Sequence, residues 1–177
     1  MKNKKELVIR YIFVCVLGVL LHFTYNWSGQ NRIVGLFSAV NESTFQHMKL
    51  IFFPTLLLTI WDILKGRFKE PGFLQKRTMG LLYGMGTIIL LFYSIWGILG
   101  TRYDWINISI FFLGVFISFY TENNWKKNTY PINILTSVVI LIYLTIAFFM
   151  FTYNFTNIGI FFDFEGIGPK DYFRPIN

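Results

Sequence analysis

The side chains most capable of chemistry are concentrated in one stretch of nine residues, 41–49. Its sequence is Asn-Glu-Ser-Thr-Phe-Gln-His-Met-Lys, which supplies amide, carboxylate, hydroxyl, imidazole and ammonium groups. An apolar run follows at 50–58 and is typical of a membrane helix rather than of a small soluble domain. The richest chemistry of the chain is therefore predicted to lie at the end of a membrane-spanning helix.

The same stretch carries a pattern that starts a helix. Ser43 followed three residues later by Gln46 is the sequence of a capping box, which predicts that a helix begins at Thr44. His47 would then lie in the first turn of that helix, at the polar edge of a bilayer. Glu42 precedes the cap, so the chain can turn its carboxylate back toward His47.

Glu42, His47 and His22 are the candidate catalytic residues. His22 lies about one turn inside the outer end of the first predicted helix, and consecutive antiparallel helices usually pack together, so the two histidines could meet. Two histidines and one carboxylate, from Glu42 or Asp163, would form a site for a divalent metal such as zinc. Such a site keeps an open position where water can be activated. Ser43 activated as a nucleophile by His47 is an alternative, although the predicted capping role competes with it.

Further polar residues are expected on the same side of the membrane and are candidates for contacts with a ligand or cofactor: Tyr25, Asn31, Asn41, Lys49 and Asp163. Two of the polar residues at this end also have a structural interpretation. Lys49 could reach the lipid headgroups along its aliphatic stem, and His47 could be a hydrogen-bonded packing residue.

Composition indicates an integral membrane protein. Hydrophobic residues make up 54% of the 177 and charged residues 14%, against roughly 25% charged residues in average soluble domains. The net charge of +7 comes from basic residues at predicted helix ends rather than in a patch, which argues against a nucleic-acid partner. Cys15 is the only cysteine, which excludes an intramolecular disulfide and a cysteine-based zinc site.

Hydropathy predicts an all-α bundle that forms a single domain over 1–177. Five transmembrane helices are expected, at 7–26, 44–64, 78–99, 105–120 and 131–153. A tail at 154–177 follows them. Segment 33–37 is too short to span, and either lies along the interface or re-enters the membrane. Aromatic residues of the tail are expected to pack against the outer helix ends, with Asp163 turned toward the polar cluster.

The distribution of Lys and Arg predicts the topology. Most of the 16 basic residues lie before the first helix and in the loops at 65–77 and 126–127. The positive-inside rule therefore places the N-terminus inside and the tail outside. Asp62 and Lys65, three residues apart at the inner end, are expected to form an interfacial ion pair. Gly80 and Gly84 form a GxxxG pattern, a weak indication of a face for oligomerisation.

The chain resembles a family of small bacterial membrane proteins of unknown function. The resemblance rests on His-Phe-Thr-Tyr-Asn-Trp-Ser-Gly at 22–29, Val-Asn-Glu-Ser at 40–43 followed by His47 and Lys49, and Phe-Phe-Asp at 161–163. It covers essentially the whole chain and implies a multi-pass protein of the bacterial plasma membrane, but it implies no activity.

Gln46 occupies a position where the family pattern has an acidic residue. The tail also departs from the proline-rich sequence that is usual in the family. Phosphate-binding loops, dinucleotide fingerprints and HExxH or CxxC motifs are not found in the sequence. Three classes of function remain. They are an outward-opening enzyme or binding site for a lipid or small molecule, an accessory protein whose polar cluster only stabilises helix packing, and a small carrier. The carrier is the least favoured because the middle of each predicted helix is largely apolar.

Overall fold

The computed structural model describes residues 4–100, 103–125, 131–154 and 159–161, and these residues form helices and connecting turns without a strand. The helices are α1 (Lys4–Trp27), α2 (Arg32–Phe37), α3 (Thr44–Leu64), α4 (Phe73–Leu99), α5 (Asp104–Asn124) and α6 (Ile134–Phe151). Short 3₁₀ turns occur at Arg67–Lys69 and Gly159–Phe161. All of the helices except α2 are long and apolar enough to cross a membrane, which confirms the predicted five-span, all-α fold.

The element bounds differ from the predicted ones at several helix ends. Segment 33–37 belongs to the six-residue helix α2, which contacts α1, α3 and α6. Helix α5 continues to Asn124, beyond the expected end at residue 120. Its last turn contains Glu122, whose charge is compensated inside the bundle by Arg77. This buried ion pair accounts for the continuation of the helix past residue 120.

Helix α3 is the centre of the bundle and the most buried of the spanning helices. It contacts α1, α2, α4 and α5, and its side chains form much of the apolar core. Both ends of α3 carry polar side chains that are enclosed by the neighbouring helices. The chemistry of the chain is therefore divided between two regions, one at each end of this helix.

Helices α4 and α5 approach closely along a line of glycines. A Cβ atom added to Gly80 would lie 2.5 Å from the Ser118 carbonyl oxygen, and one added to Gly84 would lie 2.7 Å from the Gly114 carbonyl oxygen. The face that the GxxxG pattern suggested for oligomerisation is thus occupied by α5 of the same chain. Oligomerisation itself stays a prediction and would require another face.

Candidate functional site

Three side chains from three segments converge at one end of the bundle. His22 comes from the last part of α1, Glu42 from the connection between α2 and α3, and His47 from the first turn of α3. The His22 Nε2 atom lies 3.5 Å from Glu42 Oε1, and His47 Nε2 lies 3.4 Å from Glu42 Oε2. One donor atom from each residue can be chosen so that all three lie within 4.8 Å of one another.

Local backbone structure sets the position of Glu42. The Ser43 amide donates to Asn41 Oδ1 over 3.1 Å, which forms a turn just before α3. The Ser43 hydroxyl then accepts from the Gln46 amide over 3.3 Å and caps the helix. Glu42 lies between these two hydrogen bonds, outside the helix, and its carboxylate reaches both imidazoles. The capping pattern read from the sequence is therefore part of what builds the site.

The orientation of His47 is fixed by its other ring nitrogen. His47 Nδ1 lies 2.9 Å from the Ser43 carbonyl oxygen, which can only accept a hydrogen bond. Nδ1 therefore carries the hydrogen, and in the neutral ring Nε2 presents its lone pair toward Glu42. Histidine ligands of metals are commonly held in this way by a backbone carbonyl, which fixes both tautomer and ring orientation.

The distances within the cluster suit a shared ion better than direct hydrogen bonds. A hydrogen bond from an imidazolium to a carboxylate is usually about 2.7–2.9 Å long, whereas the two contacts of Glu42 are 3.4 and 3.5 Å. Tetrahedral zinc with bonds of about 2.0–2.1 Å separates neighbouring donor atoms by about 3.3 Å. The two separations at Glu42 are close to this value, although they end on different oxygens of the carboxylate, and one donor atom from each residue can be chosen so that all three lie within 4.8 Å.

The charge state of Glu42 is favourable for metal binding. The imidazole of His22, and then that of His47, lowers the pKa of the Glu42 carboxyl well below its ordinary value, although burial acts in the opposite direction. The carboxylate is therefore ionised at neutral pH and can bind a cation without first losing a proton. About 30% of the Glu42 and His22 side chains and 15% of the His47 side chain are exposed, so small molecules can reach the cluster.

A small cavity lies beside His47, between α3, α4 and α5. Its polar lining groups are Thr44, His47 and Asn107, and the remaining wall is formed by apolar side chains of α4 and α5. The cavity volume is about 10 Å³, close to what one water molecule requires. The buried Thr44 hydroxyl has no hydrogen-bond partner among the described residues. A water in this cavity would satisfy Thr44, while any larger ligand has to approach the cluster from its open side.

Two asparagines that the sequence suggested as ligand contacts are engaged with the backbone. Asn31 caps α2, its Oδ1 accepting from the Ile33 amide over 2.9 Å. Asn41 forms the turn before α3. Tyr25 packs against α2 at Gly35. Ligand contacts of these three residues stay a prediction.

Lys49 does not extend to the lipid headgroups, as one interpretation of the sequence had it. It is fully buried, and its ammonium donates to the Gly35 carbonyl oxygen over 2.7 Å, to Gln46 Oε1 over 2.8 Å and to Thr152 Oγ1 over 3.0 Å. The apolar surroundings leave no path to water, so the ammonium is held by three oxygen acceptors instead. Gln46 uses its side chain for this contact, so only the Ser43 half of the capping box is formed.

The part of the tail that the structure describes packs as expected. The Phe161 ring lies 4.6 Å from the Phe45 ring and 5.4 Å from the Phe151 ring, centre to centre, against the N-terminal end of α3 and the C-terminal end of α6. Asp163, the alternative carboxylate ligand, lies outside the described residues, as do Phe162 and Phe164.

A second polar cluster lies at the opposite end of α3 and was not predicted from the sequence. We call it the inner network, and its buried members are Arg10, Asp62, Arg77 and Glu122. Asp62 accepts from Arg10 over 2.8 Å and from Arg77 over 2.9 Å, and Arg77 also donates to Glu122 over 2.7 Å. Each acid therefore has at least one arginine partner inside the bundle.

The expected ion pair of Asp62 and Lys65 is wrong. Asp62 points into the bundle toward Arg10 and Arg77, and the Lys65 ammonium lies 4.6 Å from the centre of the Trp61 ring. The signal that could have indicated the inner network is the presence of Arg10, Asp62 and Arg77 within or at the ends of strongly apolar segments.

Comparison with known proteins gives a family and no function. The chain matches a family of unknown function, DUF6512, over residues 1–167. No curated protein and no solved structure gave a significant match.

Proposed function

Because the chain belongs to the family of unknown function DUF6512, we propose a function from its site. This multi-pass membrane protein binds a divalent metal ion such as zinc through His22, Glu42 and His47. The observation that carries this proposal is the convergence of three donor atoms within 4.8 Å from three separate segments of the chain. The carbonyl contact that orients His47 supports it.

Three protein ligands leave one position of a tetrahedral ion open. An ion with such a position can polarise a carbonyl or phosphoryl oxygen, or lower the pKa of a bound water. The partial exposure of the cluster places that position where a lipid headgroup or a small molecule can reach it. A membrane-embedded enzyme or a metal-dependent binding site for such a ligand is therefore the activity that the site supports best.

The proposal includes a location in the plasma membrane of a bacterium, with the N-terminus inside and the metal site on the outer face. It is supported by the concentration of basic side chains at the end of the bundle opposite the site. A cysteine introduced at Asn31 should react with a membrane-impermeant reagent in whole cells, and one at Lys69 should not. Labelling of Lys69→Cys alone would place the site on the inner face.

A structural role for the cluster is the second candidate. Glu42 joins α1 to α3 through contacts with both histidines, and such a link could stabilise the packing of the two helices. This role requires no metal. It predicts that removing Glu42 or either histidine lowers the free energy of unfolding regardless of which ions are present.

Metal analysis of the purified protein separates the two candidates. Dialysis against buffered zinc followed by elemental analysis should give about one zinc per chain for the parent, and much less for His22→Gln, Glu42→Gln and His47→Gln. Glu70→Gln is the control, because Glu70 is an exposed carboxylate that pairs with Arg67 and lies far along the chain from the site. A parent without stoichiometric zinc, nickel, cobalt or manganese, and with variants of lower thermal stability, would support the structural role and contradict the proposal.

A further inference from the structure

A large groove lies between α1 and α3 at the end of the bundle opposite the histidine cluster. Its volume is about 520 Å³, within the range of about 300–1,000 Å³ usual for pockets that bind small molecules. Polar residues line one part of the groove: Glu6, Arg10, Asp62, Lys65 and Arg67. Apolar residues line the rest: Ile9, Phe13, Leu57, Leu58 and Trp61.

The acidic side chains of the groove are already paired. Asp62 is bonded by Arg10 and by Arg77, and Glu6 pairs with Arg10 over 3.0 Å and with Arg67 over 2.6 Å. A cationic ligand would have to compete with these arginines for the same carboxylate oxygens. The groove is therefore unsuited to cations.

Lys65 is different from the other charged residues of the groove. It makes no ion pair with any carboxylate in the part of the chain that the structure describes, and its ammonium lies over the Trp61 ring. Lys65 is exposed at the C-terminal end of α3, where the helix carries no other basic residue in its last turn. Its positive charge is therefore available to an anion, whereas that of Arg67 is compensated by Glu6 and Glu70.

The apolar part of the groove faces outward from the bundle. Ile9, Leu57 and Trp61 are 66%, 51% and 55% exposed, although each is a large hydrophobic side chain. In a protein with five helices long enough to cross a membrane, such surface is in contact with lipid tails. Tryptophan and lysine beside it, at the end of a spanning helix, mark the depth of the headgroups.

We propose that this groove binds one anionic phospholipid. The phosphate lies near Lys65 and Arg67, and an acyl chain lies along Phe13, Leu57 and Trp61. An anion without an apolar tail would leave the larger part of the lining unused, and a zwitterionic lipid would gain less from the uncompensated Lys65 charge. The inference uses none of the residues of the proposed metal site, so the two can fail separately.

Native mass spectrometry of the full chain in detergent tests the charge requirement. Parent protein is titrated with phosphatidylglycerol and with phosphatidylcholine of identical acyl chains, and separately with phosphatidylglycerol in the presence of inorganic phosphate. The parent should retain one phosphatidylglycerol in preference to phosphatidylcholine, and millimolar phosphate should not displace it. Equal retention of the two lipids would overturn the proposal, and displacement by phosphate would identify a simple anion site.

Matched variants locate the site. Lys65→Gln should weaken phosphatidylglycerol binding roughly fivefold, the effect expected for one lysine at an anionic headgroup. Lys69→Gln, in the same loop but outside the groove lining, should leave it unchanged. Leu57→Asn should weaken binding, whereas Leu64→Asn, which is exposed on the same helix but does not line the groove, should not. Equal losses in Lys65→Gln and Lys69→Gln would show general surface attraction and contradict a defined site.

Discussion

The two ends of α3 carry polar clusters of opposite character. In the inner network each arginine–carboxylate pair has a contact of 2.9 Å or less, and Asp62 and Arg77 are each only 1% exposed. In the histidine cluster one carboxylate lies between two imidazoles at 3.4 and 3.5 Å, and all three side chains are partly exposed. The charged groups of the inner network are buried and form short hydrogen bonds with one another. The histidine cluster, in contrast, leaves room for a further group.

This difference distinguishes polar side chains that stabilise the fold from polar side chains that are arranged to bind a ligand. Buried ion pairs are costly to desolvate and persist only when their hydrogen bonds are well formed, as those of Arg77 are. A metal site needs the reverse arrangement, in which donor atoms face one point, do not fully satisfy one another and can be reached by a ligand. We therefore propose that the inner network contributes stability and that the histidine cluster binds a ligand.

The largest effect is expected from breaking the inner network. Arg77→Met removes one partner of Glu122 and one partner of Asp62, and should lower the free energy of unfolding by about 3–5 kcal/mol. Arg67→Met is the comparison, because the short ion pairs of Arg67 are with two half-exposed glutamates and its contact with Asp62 is longer, at 3.8 Å, so its removal should cost only about 1 kcal/mol. Chemical unfolding in detergent, followed by tryptophan fluorescence, measures both. Equal effects of the two substitutions would remove the distinction between buried and exposed pairs.

A smaller loss of stability is expected when Lys49 is replaced. Lys49 lies near the histidine cluster, but its contacts stabilise the fold. Lys49→Met leaves the Gly35 carbonyl, Gln46 Oε1 and Thr152 Oγ1 without their donor. The free energy of unfolding should fall by about 1–3 kcal/mol, while zinc stoichiometry stays at the parental value. Loss of zinc from a protein that remains folded would make Lys49 part of the metal site and would place the boundary between the two classes elsewhere.

The smallest change in stability is expected within the histidine cluster. In the presence of a chelator, His47→Gln should alter the free energy of unfolding by less than about 1 kcal/mol, because its contact with Glu42 is long and partly exposed. Addition of zinc should then distinguish the stability of the parent from that of the variant. At one hundred times its dissociation constant it should stabilise the parent by about 2.7 kcal/mol and the variant by almost nothing. A large loss in chelator, with no response of the parent to zinc, would assign the cluster to packing.

The histidine cluster could be predicted because its residues are rare and close to recognisable signals. The chain has two histidines, the capping pattern at Ser43 places His47 in the first turn of α3, and antiparallel packing brings His22 to the same depth. Membrane helices follow from hydropathy in the same direct way. The hydrogen bond from His47 to the Ser43 carbonyl, which orients the ring, depends on a side-chain rotamer and could not be predicted.

The inner network could not be predicted because it depends on how each helix is rotated. Asp62 has Lys65 three residues later, which favoured a local pair, but its side chain faces the bundle and meets arginines from α1 and α4. Lys49 is similar, since its three acceptors come from α2, α3 and the residue after α6. Local spacing shows which groups are polar, whereas tertiary packing decides which partners they have.

X-ray absorption spectroscopy at the zinc edge of the zinc-loaded protein tests the central claim most directly. The account predicts one zinc per chain with a first shell of nitrogen and oxygen atoms at about 2.0–2.1 Å and the multiple-scattering pattern of two imidazoles. His22→Gln should reduce that pattern, and sulfur should not contribute, since Cys15 is buried within α1. A shell of oxygen atoms without imidazole, a sulfur ligand, or no stoichiometric zinc in the folded parent would contradict the assignment of the histidine cluster as a metal site.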